Sequence, residues 1–412
     1  MRLGDEILRL SELASEFSEP GPGVTRALGT KEHKRLLHSL SDWMRIAGLE
    51  PELDCAGNLV GRTPFLPNKK TLILGSHQDT VKQGGKYDGM LGILLPLVVL
   101  KDIQSQFVTL PVNIELVAFS DEEGARFSST LVGSSALAGT FNQEMLISVD
   151  REGVSLGQAL TEIGGDPERI DQVARDPGQV AGFIEVHIEQ GPVLESLDLP
   201  VGIVTAITGI ERHHIVIEGQ ANHAGTTPMH LRQDALLAAT QVVQVVNDLC
   251  SETDELVGVV GELNVMPNAV NVIPGRVELT IELRSPKTEV RLAARNRVLD
   301  LIDARLATTP CRWSHTLKYE QKEVTCAESL QKRLETAIKS QGYACHHLFS
   351  GAGHDGLAMA NLCDIAMLFV RCRAGLSHHP EESITAFDAE AAAQVLKRFI
   401  LSFDSVEDVD VA

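Results

Sequence analysis

An α/β fold is predicted, built on a largely parallel sheet with helices packed around it and interrupted by a smaller inserted domain. Three observations predict it. The chain has 412 residues, more than one hydrophobic core usually organises, so two domains are expected. Apolar, β-rich runs alternate with helical patterns over most of its length, as in parallel α/β sheets. A central stretch breaks that alternation and reads as a separate antiparallel unit.

The elements follow in chain order. The opening MRLGDEILRLSEL has the spacing of an amphipathic helix, and a second helical pattern covers 31–48. Residues 71–75 read as a strand, 92–104 as a helix and 112–119 as a strand. A strand is expected at 183–188, a helix at 328–340 and a strand at 365–370. The central stretch alternates at 213–218, turns helical over 232–250, returns to strand at 256–265 and 276–284, and closes with a helix over 287–306. This βαββα order places an inserted domain at 206–322, between the two segments 1–205 and 323–412 of the first domain.

Composition narrows the function. Hydrophobic residues make up 43% and charged residues 22%, a globular balance without low-complexity tracts or repeats. The net charge of −20 is opposite to that of a phosphate-backbone binder, so no nucleic-acid partner is expected. The longest apolar run, 90–100, contains Pro96 and is short of the roughly 18 residues of a membrane span, so no membrane association is expected. Seven cysteines without a C-x-x-C pair read as free thiols of a reducing compartment, and a cytoplasmic location is expected.

Chemistry-bearing residues gather where strands end, the place where parallel sheets bind ligands. His77 and Asp79 close the strand at 71, and Asp88 follows in a glycine-bounded loop. Imidazole and carboxylate together suit zinc or manganese, with Asp79 available to orient the His77 ring. A plain turn with His77 bonded to backbone also fits. Asp121-Glu122-Glu123 ends the next strand, and consecutive carboxylates repel unless a cation neutralises them. One glutamate can bind metal while its neighbour acts as general base, although a solvated acidic turn is the simpler alternative. Glu185, His187 and Glu189 alternate onto one face of the strand at 183, and a buried polar row needs partners. Gly375-Leu376-Ser377-His378-His379-Pro380 follows the last strand, with Gly353-His354-Asp355 nearby. In the inserted region, His223 and Asn271 sit in polar loops, and Arg276 and Arg284 project from one face of a strand. Their guanidinium forks suit a substrate carboxylate or an ordinary surface ion pair. His77, Asp88, Glu123, His187 and His378 together offer enough ligands for two cations sharing a carboxylate.

The strings G-S-H-x-D-T-V-x-x-G-G-x-x-D-G, D-E-E-G-A-R-F, H-I-E-Q-G-P-V-L-E, A-x-H-A-G-T-T-P-M, P-N-x-V-N-V-I-P-G, S-G-A-G-H-D and G-x-S-H-x-P-x-E occur in that order. Through them nearly the whole chain resembles the amidase/hydantoinase/carbamoylase family of dinuclear metallohydrolases, relatives of aminoacylase and carboxypeptidase G. The resemblance implies a zinc-exopeptidase-like catalytic domain, with a phosphorylase/hydrolase-like sheet, carrying a ferredoxin-like lid that forms a homodimer. It implies two divalent ions per subunit, zinc or manganese, with cobalt and nickel as further options. His77 and His187 match ligands of one ion, Glu123 and His378 ligands of the other, and Asp88 the bridging carboxylate. Glu122 matches the general base. Gln190 matches a residue at the substrate edge, and His223, Asn271 and Arg284 match lid residues that hold a substrate carboxylate or stabilise the oxyanion.

The substrate implied is a small ureido or carbamoyl compound bearing a carboxylate. Hydrolysis of an N-carbamoyl-L-amino acid to L-amino acid, carbon dioxide and ammonia is the first expectation. Allantoate hydrolysis is the alternative, disfavoured because Gly209-Ile210-Glu211-Arg212 stands where allantoate-type members carry paired arginines. β-Ureidopropionase and aminoacylase or dipeptidase activities rank lower, the latter because H-I-E-Q-G differs from peptidase relatives. A catalytically inactive binding protein on the same scaffold is the reading from another class.

Overall fold

In the computed structural model, residues 2–403 are described. They divide into two compact units: Ala206–Val324 with Phe349–Gly351, and the remainder.

The first unit is built on a mixed sheet. Its middle is parallel, in the order Asn113–Phe119, Thr71–His77, Val180–Ile188 and Ile365–Val370. Antiparallel strands extend it on both sides, Leu59–Arg62 and Glu50–Leu53 beyond the first and Val201–Ile207 beyond the last. The middle strands are buried along nearly their whole length, which is why they read as continuous apolar runs. Alternate residues serve opposite faces. Leu72, Leu74, Leu116, Ile184, Val186 and Leu368 join the core beneath the long helices, whereas Glu185 turns to the other face and accepts from the Gly356 N–H. Gly75 permits the close strand spacing, since a Cβ there would lie 2.1 Å from the Val117 carbonyl oxygen.

Helix Leu91–Ile103 is apolar on every side as far as Leu100, with only Lys101 and Asp102 charged, because it packs on the sheet from one side and against helices Leu3–Ser15 and Ala386–Leu401 on the other. It runs on into a 3-10 turn, Gln104–Thr109, so the helical stretch is longer than the apolar run suggested. Leu91–Thr109 is 19 residues, long and apolar enough to cross a membrane, yet 67% of it is buried inside this core. All seven cysteines are free thiols.

Helix Lys31–Ile46 begins at Thr30, whose side chain accepts from the His33 N–H, and buries the His33 ring completely. Burial, with Arg26 close by, pushes this imidazole down to about 3. The unfolded chain takes up a proton near pH 6.5 and the folded chain does not, so this contribution to stability is intact above 6.5 and is lost as pH falls towards 3. His33→Asn is expected to flatten the acid side of a urea-midpoint profile between pH 6.5 and 4.5 by up to about 1.4 kcal/mol per pH unit. A slope unchanged by the substitution would contradict the assignment.

The second unit is a four-stranded antiparallel sheet in the order Arg312–Gln321, Gly209–Glu218, Arg276–Ser285, Val257–Met266. Helices Ala235–Glu252 and Thr288–Leu306 cover one face, packing Val242, Val245, Val298 and Ile302 on Ile215, Ile217, Leu279 and Ile281. The four-stranded sheet and its two helices follow the chain order βαββαβ, one sheet strand more than the sequence pattern showed. The missed strand, Arg312–Gln321, lies at the sheet edge and is largely exposed, so its polar residues give no apolar signal. Glu211 is buried against Arg291 and accepts from the His213 ring at 3.0 Å. Glu211 is thus an interior ion-pair partner.

Candidate active site

The parallel strands all end on the same edge of the sheet, and each delivers polar groups there. His77 is the last residue of its strand, and Asp88 sits in the loop leading to helix Leu91–Ile103. Glu122 and Glu123 occupy the turn after Phe119, which Asp121 enters at φ +49°. His187 lies near the end of Val180–Ile188, and His378 in the loop after Ile365–Val370, at φ +55°.

These side chains converge on Asp88. Its Oδ1 is 3.4 Å from His77 Nε2 and 3.2 Å from His187 Nε2. Its Oδ2 is 3.5 Å from His378 Nε2, which in turn is 3.5 Å from Glu123 Oε1. Glu122 joins His77 and Glu123 in a further group, with ligand atoms within 4.8 Å of one another.

The donor set fits divalent cations. Ligands about 2.1 Å from one ion in a tetrahedral array lie about 3.4 Å apart, the spacing found here. The tautomers agree as well. His77 Nδ1 is 3.0 Å from the Asp79 carbonyl oxygen and His187 Nδ1 is 2.9 Å from the Ile188 carbonyl oxygen. A carbonyl only accepts, so both rings carry hydrogen on Nδ1 and turn the Nε2 lone pair inward.

The electrostatics ask for positive charge. Burial pushes the Glu122 carboxyl well above its ordinary range, with Glu123 and Asp355 reinforcing it against the pull of His77. Glu123 is raised for the same first reason. Burial alone would depress His77 and His187, yet Asp88 and the neighbouring carboxylates hold both rings above their ordinary value. Burial would likewise raise Asp88, but His187 and His77 hold it well below. Raised glutamates beside raised imidazoles mark a carboxylate-rich site suited to cations.

Several neighbours hold this arrangement. Asp79 orients His77 through its backbone, not its carboxylate, which stays 3.8 Å from the ring. That carboxylate accepts from the N–H groups of Glu122 and Glu123, at 3.0 and 3.1 Å, and so fixes the acidic turn. Gln190 donates to Asp88 Oδ2 at 2.8 Å and to Ser377 Oγ at 3.1 Å. Gly89 must lack a side chain, since a Cβ there would meet the His77 ring at 2.4 Å.

Other residues singled out in the sequence make contacts of their own. Glu189, paired by alternation with His187, accepts from the Val193 and Leu194 N–H groups and starts a short helix. In the second unit, His223 is exposed in a two-residue strand beside Val272, and the Asn271 carbonyl accepts from the Ala224 N–H. Arg276 is engaged in surface ion pairs with Glu218 and Glu278, the ordinary reading of that residue. Arg284 pairs with Glu282 at 2.6 Å and donates to the Gly351 carbonyl. Sequence reasoning gave no role to Glu382 and Ser377, although both stand in the string that contains His378. It also passed over Asp355, buried beside the acidic turn, and treated His354 as undecided; the His354 ring packs edge-on to His187 at 4.5 Å.

Comparison with known proteins places the chain. Residues 73–402 match the model of peptidase family M20/M25/M40. The chain belongs to that family. Among curated members, an N-carbamoyl-L-amino acid amidohydrolase of Geobacillus stearothermophilus is 43% identical, across 94% of this chain and 95% of that protein. An allantoate deiminase of Arabidopsis thaliana is 36% identical, across 97% and 82%. A crystal structure of an amidase of the hydantoinase/carbamoylase family from Burkholderia multivorans superposes with a TM-score of 0.90 at 30% identity, covering 97% of both chains. The α/β fold and the resemblance read from the motifs agree with this membership.

Proposed function

We propose that this protein is a metal-dependent amidohydrolase that cleaves N-carbamoyl-L-amino acids. The observation that supports it most is the convergence of His77, Asp88, Glu123, His187 and His378 at 3.2–3.5 Å, beside Glu122. In this reading His77 and His187 would hold one cation and Glu123 and His378 another, with Asp88 available to both. Divalent cations bound there, zinc or manganese, supply Lewis acidity and make a water acidic enough to give up its proton.

The chain's own groups do the rest. Glu122, next to those ligands and without a share in the Asp88 contacts, takes the proton from water on its carboxylate and hands it to the departing nitrogen. Cleavage of R–NH–CO–NH2 with one water gives R–NH2, carbon dioxide and ammonia, so atoms balance. Asp79 keeps Glu122 aimed by holding its backbone N–H. The substrate-binding roles implied for His223, Asn271 and Arg284 belong to this proposal. Arg284→Ala is expected to raise KM about tenfold or more with kcat of the same order, as loss of a charge-assisted contact does. An unchanged KM would remove Arg284 from the binding site.

Allantoate is the competing substrate, because allantoate deiminases are almost as similar as the carbamoylase. The protein loaded with manganese and offered a series of N-carbamoyl-L-amino acids, then allantoate, is expected to release ammonia from the former series faster. No ammonia from any carbamoyl compound would refute the assignment.

A further inference from the structure

Glu382 is a buried acid beside the site that the mechanism above leaves unused. It is only 1% exposed, yet it forms no ion pair with a basic residue among the described salt bridges. Its Oε1 accepts from the backbone N–H groups of Tyr87 at 2.7 Å and Asp88 at 3.0 Å. Gly85 lies so close that a Cβ there would fall 2.1 Å from the Glu382 carboxyl carbon. The same loop that carries Glu382 carries His378 four residues earlier, and its Ser377 hydroxyl bonds to Asp88 Oδ2. Asp88 is therefore gripped twice by one distant segment, at its backbone by Glu382 and at its carboxylate by Ser377.

From this we infer that Glu382 is a positioning residue that ties the Asp88 loop to the His378 loop and fixes the spacing between the two groups of cation ligands. The inference rests on the reading that Asp88 and His378 hold cations. Partners that orient ligands without touching the ion typically contribute 10–100-fold to metal affinity. Here the orienting element is a hydrogen-bond acceptor, so the acceptor and not the charge is what the site needs. A glutamine keeps an oxygen that accepts from N–H groups, whereas a methionine of similar length keeps none.

The test is calorimetric titration of the full-length, cation-free protein with Mn2+ alone, with far-UV circular dichroism to confirm the fold. Glu382→Met is expected to weaken Mn2+ binding about 10–100-fold, and Glu382→Gln to stay close to the parent protein. Gly85→Ala leaves Glu382 in place but drives its carboxyl away, and is expected to weaken binding in the same way; it also serves if Glu382→Met does not fold. Equal Mn2+ affinity in Gly85→Ala and the parent would overturn the inference, as would a loss in Glu382→Gln as large as in Glu382→Met. A parent protein that binds no Mn2+ would overturn the proposed function itself, a result distinct from the variant pattern.

Discussion

Glu122→Gln is expected to lower kcat about 10³-fold, the usual contribution of a positioned general base, while metal content stays at the parent level. The substitution keeps the shape of the side chain and removes only its ability to take a proton. Its backbone N–H is held by Asp79 Oδ1 at 3.0 Å, a contact the new side chain does not disturb. The ligands around Asp88 meet one another without using Glu122, so elemental analysis is expected to find the same metal-to-protein ratio. Retained turnover would remove Glu122 from the role of base, and a loss of metal would turn it into a ligand instead.

Asp88→Ala is expected to abolish cation binding. Both carboxylate oxygens are in use, Oδ1 facing His77 and His187 and Oδ2 facing His378, so one substitution opens both halves of the cluster. A ligand that binds only the folded state at about 100 times its Kd stabilises by about 2.7 kcal/mol. The parent protein is expected to show that gain as a metal-dependent rise in Tm, and Asp88→Ala to show almost none. A full metal response in the variant would place the cations elsewhere.

The parallel core was legible in the sequence because its strands are buried on both faces and read as unbroken apolar runs. Ligand candidates were legible because imidazoles and carboxylates stand at the ends of those runs. What escaped were contacts that no spacing encodes. Glu382 reaches the Asp88 backbone across 294 positions of sequence, and nothing local to either residue signals it. Glu189 was misread for the opposite reason: alternation put it in line with His187, but the strand ends at Ile188 and the next residue is free to cap a helix. Arg312–Gln321 was missed because an exposed edge strand lacks the periodicity that identifies a strand.

Strand Ile365–Val370 follows the other strands of its sheet in sequence, yet it lies inside that sheet, between Val180–Ile188 and Val201–Ile207. During synthesis, every earlier segment leaves the ribosome with that slot open and an unpaired edge along Val180–Ile188. The slot cannot close before residue 370 has emerged, nor the grip on Asp88 before residue 382. A nascent chain thus has no finished pocket in which to capture a cation until residue 382 has emerged, and any truncation upstream of that strand leaves an adhesive border in place of an enzyme.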